Sequence, residues 1–88
     1  MLYRRNEQVS VTTVDDGSFL VEPETQDIFY LDAVSGGVWK ALEQPMALAE
    51  LQALVAEAFP QVPRATIDGD IAALVKDMTE RKLIVQAS

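Results

Sequence analysis

The hydrophobic pattern of this chain switches period at Asp32, and that switch restricts the fold more than any other feature. Ahead of it, Asp27-Ile28-Phe29-Tyr30-Leu31 is a short aromatic and β-branched run of the kind that forms a strand. Behind it, Val34, Val38, Ala41 and Leu42 recur at spacings of four, three and one, an apolar helical stripe with Trp39 beside it. Asp32 is placed to cap that helix, so strand and helix meet at one corner. Side chains alternate along a strand, which puts Phe29 and Leu31 toward the core and Ile28 and Tyr30 on the opposite face. At the edge of a small sheet such a strand leaves one row of backbone groups open, where an extended segment of another chain can add.

The rest of the chain builds outward from that corner. From Gln8 to Leu31 the period is near two, with the β-branched run Val9 to Val14 suited to a strand with one buried face. Asp15-Asp16-Gly17 supplies a hairpin turn, Ser18 to Glu22 a second strand, and Pro23-Glu24-Thr25-Gln26 a polar loop. A second helix spans about Ala47 to Phe59, with Leu48, Leu51, Val55 and Phe59 on one face. A third carries Ile67, Ile71, Leu74, Val75 and Met78, with Pro63 in its first turn. Leu83-Ile84-Val85 reads as a short extended segment before a frayed tail. The order predicts an α+β, winged helix-turn-helix-like domain: a three-stranded antiparallel N-terminal meander followed by three helices. Gly36-Gly37 costs roughly 1 kcal/mol per residue in helix propensity. That cost calls either for close packing of helix on sheet or for clearance beside a bound peptide backbone.

Composition removes several classes of function. With 88 residues the chain makes one domain over 1–88, and 49% apolar content is enough for a folded core. Cysteine and histidine are both absent, which excludes Ser-His and Cys-His nucleophilic catalysis and the usual zinc sites, so no cofactor is called for. Fourteen acidic against seven basic side chains give a net charge of −7, adverse to phosphate binding. Thr66 to Met78, the recognition helix of a DNA-binding winged fold, carries Asp68, Asp70 and Asp77 against Lys76 alone. The N-terminus has two arginines with no apolar run behind them, and nothing approaches the ~20 apolar residues of a membrane span. The expectation is a soluble cytoplasmic protein without nucleic-acid or membrane partners. Asp68-Gly69-Asp70 and Asp15-Asp16 lack the further oxygen ligands of a calcium loop, and no pair of carboxylates is singled out for catalysis. The chain is read as a non-enzyme.

Ile28-Phe29-Tyr30-Leu31-Asp32, then Ala33 and Val38-Trp39 through Leu42, resembles the strand-to-helix signature of PqqD-like proteins. These are stand-alone leader-recognition domains of ribosomally made, modified peptides. Asp70-Ile71 through Leu74-Val75 and Met78, with Arg81-Lys82-Leu83-Ile84, is similar to the family's closing helix. Three positions depart from the pattern: Asp32 for the common asparagine, Ala47 for the threonine that begins the second helix, and Lys82 for the glycine before the final leucine. The resemblance implies a peptide chaperone. A leader peptide would add beside the third strand, in a cleft between it and the third helix, and be presented to a radical S-adenosylmethionine maturase or a leader protease. The peptide-binding residues so expected are Asp27, Ile28, Phe29, Tyr30, Leu31, Asp70, Ile71, Leu74, Asp77 and Met78. Three other readings compete: a winged-helix nucleic-acid-binding regulator, a subunit that only stabilises its enzyme, and a homodimer paired through the same strand edge.

Overall fold

The computed structural model describes residues 1–14 and 17–87; the expected turn residues Asp15 and Asp16 lie outside the described residues. The elements are β1 Leu2–Arg5, β2 Ser10–Val14, β3 Gly17–Val21, β4 Ile28–Leu31, α1 Ala33–Ala41, α2 Leu48–Ala58, α3 Arg64–Glu80 and β5 Ile84–Ala87. An antiparallel meander β2-β3-β4 precedes three helices in an α+β, winged helix-turn-helix-like arrangement, and β1 pairs with β5 in a separate two-stranded ribbon.

Register explains the two faces of the meander. Leu20 lies opposite Phe29 and Ser18 opposite Leu31, so Leu20, Phe29 and Leu31 point to the same side, and Leu20 and Leu31 are buried there. Ile28 and Tyr30 point the other way and are 65% and 57% exposed. Tyr30 reaches across the sheet to Gly17, where an added Cβ would come within 2.6 Å of the tyrosine Oη. Glycine is required there on both counts, since its φ is +150°.

Two expectations are corrected at the periphery. All five residues of β2 are exposed rather than alternately buried, because this outer strand packs mainly on β3. The carboxyl end is a paired strand instead of a frayed tail: Leu2 aligns with Ala87 and Arg5 with Ile84. Tyr3 also exchanges backbone hydrogen bonds with Met46, at 2.8 and 3.0 Å. Arg5 donates through Nε and Nη2 to the Trp39 carbonyl at 2.9 and 2.6 Å, with its guanidinium 4.7 Å from the Trp39 ring centre. That contact ties the β1–β5 ribbon to the end of α1.

The core lies between the meander and the helices. Leu20, Val38, Leu42, Leu51, Ile71, Val75, Met78, Leu83 and Ile84 are all essentially inaccessible. Neither Gly36 nor Gly37 of α1 is there for close packing. A Cβ on Gly36 would make ordinary contact with Leu31 Cβ at 3.9 Å, and one on Gly37 would meet nothing within 4 Å.

Helix ends follow the sequence closely. Asp32 accepts the Ser35 N–H at 2.8 Å while Ser35 Oγ accepts the Asp32 N–H at 2.9 Å, a closed capping box at the start of α1. At α2 Ala47 has no side chain to cap with, yet Glu50 still accepts the Ala47 N–H at 2.9 Å, so half of the box survives. Pro63 is the residue before α3 rather than part of its first turn, and its carbonyl accepts from Thr66 and Ile67. α3 ends in a Schellman turn: Leu83 N–H donates to Met78 O at 2.9 Å and Lys82 N–H to Thr79 O at 3.0 Å. Lys82 sits at φ +62° in that turn, a left-handed conformation that costs an L-residue ~1–2 kcal/mol. Lys82→Gly should therefore raise stability by about 1 kcal/mol in denaturant unfolding. The exposed Lys82–Glu24 pair at 3.6 Å that it removes contributes little. Among the described residues no helix is long and apolar enough to cross a membrane.

Candidate functional site

Among the described residues β4 is a terminal strand of its sheet, paired with β3. The direction of its backbone groups follows from the ladder. Glu22 N–H donates to Asp27 O at 3.1 Å, and in an antiparallel pair such bonded positions alternate with non-bonded ones. The pairs Leu20–Phe29 and Ser18–Leu31 are then the bonded ones, and the N–H and C=O of Ile28 and Tyr30 are directed away from β3. The row stops at the corner, because the Asp32 N–H is held by Ser35 Oγ and the Asp32 C=O accepts the Gly36 N–H at 2.8 Å. The edge thus presents four backbone groups.

Beside this edge lies a cleft of about 300 Å³ between β4, the first turn of α1 and the middle of α3. Phe29, Val34 and Leu74 supply apolar lining; Tyr30, Asp32, Ser35 and Asp70 form the remainder. Asp70 is an exposed carboxylate with no hydrogen bond or ion pair among the described residues. By contrast Asp32 is engaged in its cap, and Asp77 pairs with Arg81 at 2.9 Å.

The expected residues divide accordingly. Phe29, Tyr30, Asp70 and Leu74 come together at the cleft, and Ile28 stands on the adjoining edge. Asp27 is exposed at the start of the strand, with its carbonyl turned to Glu22. Ile71 and Met78 do not face the cleft: they are 1% and 0% exposed. Residues 67, 71, 75 and 78 form the inward seam of α3, whereas 70, 74 and 77 lie one position round the helix. Leu31 is likewise in the core. Asp77 acts at one remove, since the Arg81 it pairs with lies 5.6 Å from the Phe29 ring centre.

The family described as coenzyme PQQ synthesis protein D (PqqD) matches residues 17–84. The chain belongs to the PqqD family. Its fold is shared with two solved structures, each 22% identical to it. One, "TbiB1 in complex with the TbiA(beta) leader peptide", has a TM-score of 0.80 and covers 97% of this chain and 98% of its own. The other, "lasso peptide synthetase B1 complexed with the leader peptide", has a TM-score of 0.76 and covers 96% and 98%. No curated protein matches the chain significantly.

In this PqqD-family chain the residues missed from sequence are Val34 and Ser35, with Asp32 a member of the cleft as well as its corner. The cap was the available signal. A helix that starts immediately at the end of β4 must lay its first turn against the strand edge.

Two carboxylates brace the ends of β4. The Thr25 N–H, donating at 2.7 Å, holds the Glu22 carboxyl below its ordinary range, with burial opposing and the Glu24 N–H, the Thr25 hydroxyl and the Lys82 charge assisting. Asp32 is lowered chiefly by the Ser35 N–H and then by the Ser35 hydroxyl. A carboxyl with a depressed folded pKa stabilises the fold above its unfolded value, and that contribution disappears as pH falls through the folded value. The thermal midpoint should therefore drop as the solution is acidified below roughly pH 4.5. Asp32→Asn, which still caps but does not titrate, should show a shallower fall.

Proposed function

We propose that this chain is a non-catalytic peptide-binding module. It captures the leader of a ribosomally made precursor peptide by strand addition to β4 and presents it to a modifying enzyme, a radical S-adenosylmethionine maturase or a leader protease. The observation that carries this reading is the pairing of an outward-directed strand edge at Ile28 and Tyr30 with an apolar cleft at Phe29, Val34 and Leu74. Both structural neighbours, which it matches over nearly their full length, were solved with leader peptides.

Energetics define how the two parts divide the work. Four backbone hydrogen bonds at ~0.5–1.5 kcal/mol net give about 2–6 kcal/mol, against an association cost of ~4–15 kcal/mol. The edge supplies register and direction; apolar side chains of the peptide seated against Leu74 and Phe29 supply affinity. The unpaired Asp70 selects a peptide with a basic residue at the cleft mouth.

The test is an amide-shift titration of the labelled protein with a synthetic leader copied from a precursor encoded beside it. Shifts should concentrate at Asp27–Leu31, the first turn of α1 and the outer face of α3. Shifts confined elsewhere, or none at high micromolar peptide, would overturn the assignment. A second copy adding to the same edge would compete with the peptide, so sedimentation of the free protein accompanies the titration. Nucleic-acid binding is not favoured: Arg64 on α3 is already paired with Asp68 at 2.8 Å.

A further inference from the structure

An apolar groove of about 480 Å³ runs between α1 and α2. Val34 is the one residue that lines both this groove and the cleft at β4. Beyond it the floor is Gly37 and Ala41, and the opposite wall carries Leu54, Ala58 and Phe59. Leu54 is 43% exposed although it is a large aliphatic residue in the middle of a helix. A Cβ on Gly37 would meet nothing within 4 Å, so, as for Gly36 and for Gly69 on α3, close packing inside the domain does not explain its propensity cost. A different hollow of about 590 Å³ adjoins Tyr30 on the Trp39 side, but Ser18 and Asp32 make its lining more polar.

From these observations we infer that a peptide bound at β4 does not end at the corner: its adjoining segment crosses Val34 and lies in the α1–α2 groove, apolar side chains down. The inference rests on the strand-addition reading and extends it. Two considerations select this occupant. The edge offers only two outward residues, Ile28 and Tyr30, so the contact it makes is short and needs more apolar burial than the cleft contains. The groove also begins where the edge is closed off by the capping box, in line with a chain leaving β4 over the first turn of α1. From Val34 to Ala41 is about 10 Å along a helix, a distance that roughly three extended residues span. The bound peptide therefore carries a second apolar patch three or four residues from the one that fills the Leu74 cleft. The absent side chain of Gly37 gives its backbone room.

The experiment pans a phage-displayed library of random 16-residue peptides against the full-length protein and truncates the selected peptides from either end. Gly37→Leu fills the groove, and Leu54→Lys charges its far wall; circular dichroism checks that both fold. The expected result is at least a tenfold loss of affinity for the long peptides in both variants. Peptides truncated to the strand-adding part should bind both variants as they bind the parent. Long peptides that bind both variants unchanged overturn the inference while leaving strand addition in place. A dimer dissolved by Leu54→Lys with peptide affinity unaltered overturns it too, because the groove then belongs to a second copy. Selected peptides indifferent to Leu74→Arg, or no selected peptides, overturn the underlying cleft reading itself.

Discussion

Leu74→Arg should weaken peptide capture about 100-fold and leave the fold intact. Leu74 lies one position round α3 from the buried seam, half-covered by its own domain, with its free side toward Phe29 and Val34. A peptide side chain seated there gains ~1.5–3 kcal/mol from burial. The arginine removes that contact and places a charge in the apolar part of the cleft. It also has a partner four residues earlier in Asp70, and an Asp–Arg pair at that spacing holds the new side chain across the opening. A loss of about 100-fold in affinity corresponds to ~2.7 kcal/mol, within reach of the lost burial alone. The measurement is the titration described above, with thermal unfolding as control. Capture that survives the substitution would move the site away from α3 altogether.

The second large effect is expected at the edge itself. Ile28→Pro removes a backbone N–H that is directed away from β3, so the internal ladder keeps its bonds. A bound peptide then loses one of four hydrogen bonds and leaves a carbonyl facing the proline ring, at ~1–3 kcal/mol, or roughly a five- to hundredfold fall in affinity. Phe29→Pro is the contrasting variant. Its N–H is directed toward Leu20, and the same change there should unfold the meander. Equal stability of the two proline variants would show that the alternation along β4 is reversed. Ile28→Val, which changes only an exposed side chain, separates the backbone effect from the loss of isoleucine.

Much of this site is legible in the residues themselves, and the shortfalls have physical reasons. The strand Ile28–Leu31, its inward and outward faces and the Asp32 cap are local, short-range features, so alternation and capping chemistry suffice to place them. The helical seam was read correctly as a face, but a face has margins. Ile71 and Met78 sit at its centre and Leu74 at its border, a difference of roughly 40–60° of rotation that spacing alone does not resolve into core and cleft. β1 was invisible because Leu2–Arg5 has little alternation of its own and forms only by pairing with β5. β2 shows the opposite error. Its Val-Thr pattern has strong strand propensity, but propensity does not say whether anything covers the strand, and all five of its residues stay exposed.

The β1–β5 ribbon bears on how the domain comes together in time. It joins positions 2 and 87, the longest sequence separation of any strand pair among the described residues, whereas β2, β3 and β4 pair with near neighbours in sequence. Local hairpins close in microseconds, while long loops carry a larger closure entropy and form once the rest of the chain is compact. The ribbon is thus a late latch: Leu83 and Ile84 enter the core with it, and Arg5 reaches Trp39 through it. Weakening the latch should leave the refolding rate nearly unchanged and hasten unfolding, so the lifetime of the assembled cleft is governed by a ribbon that contributes nothing to its lining.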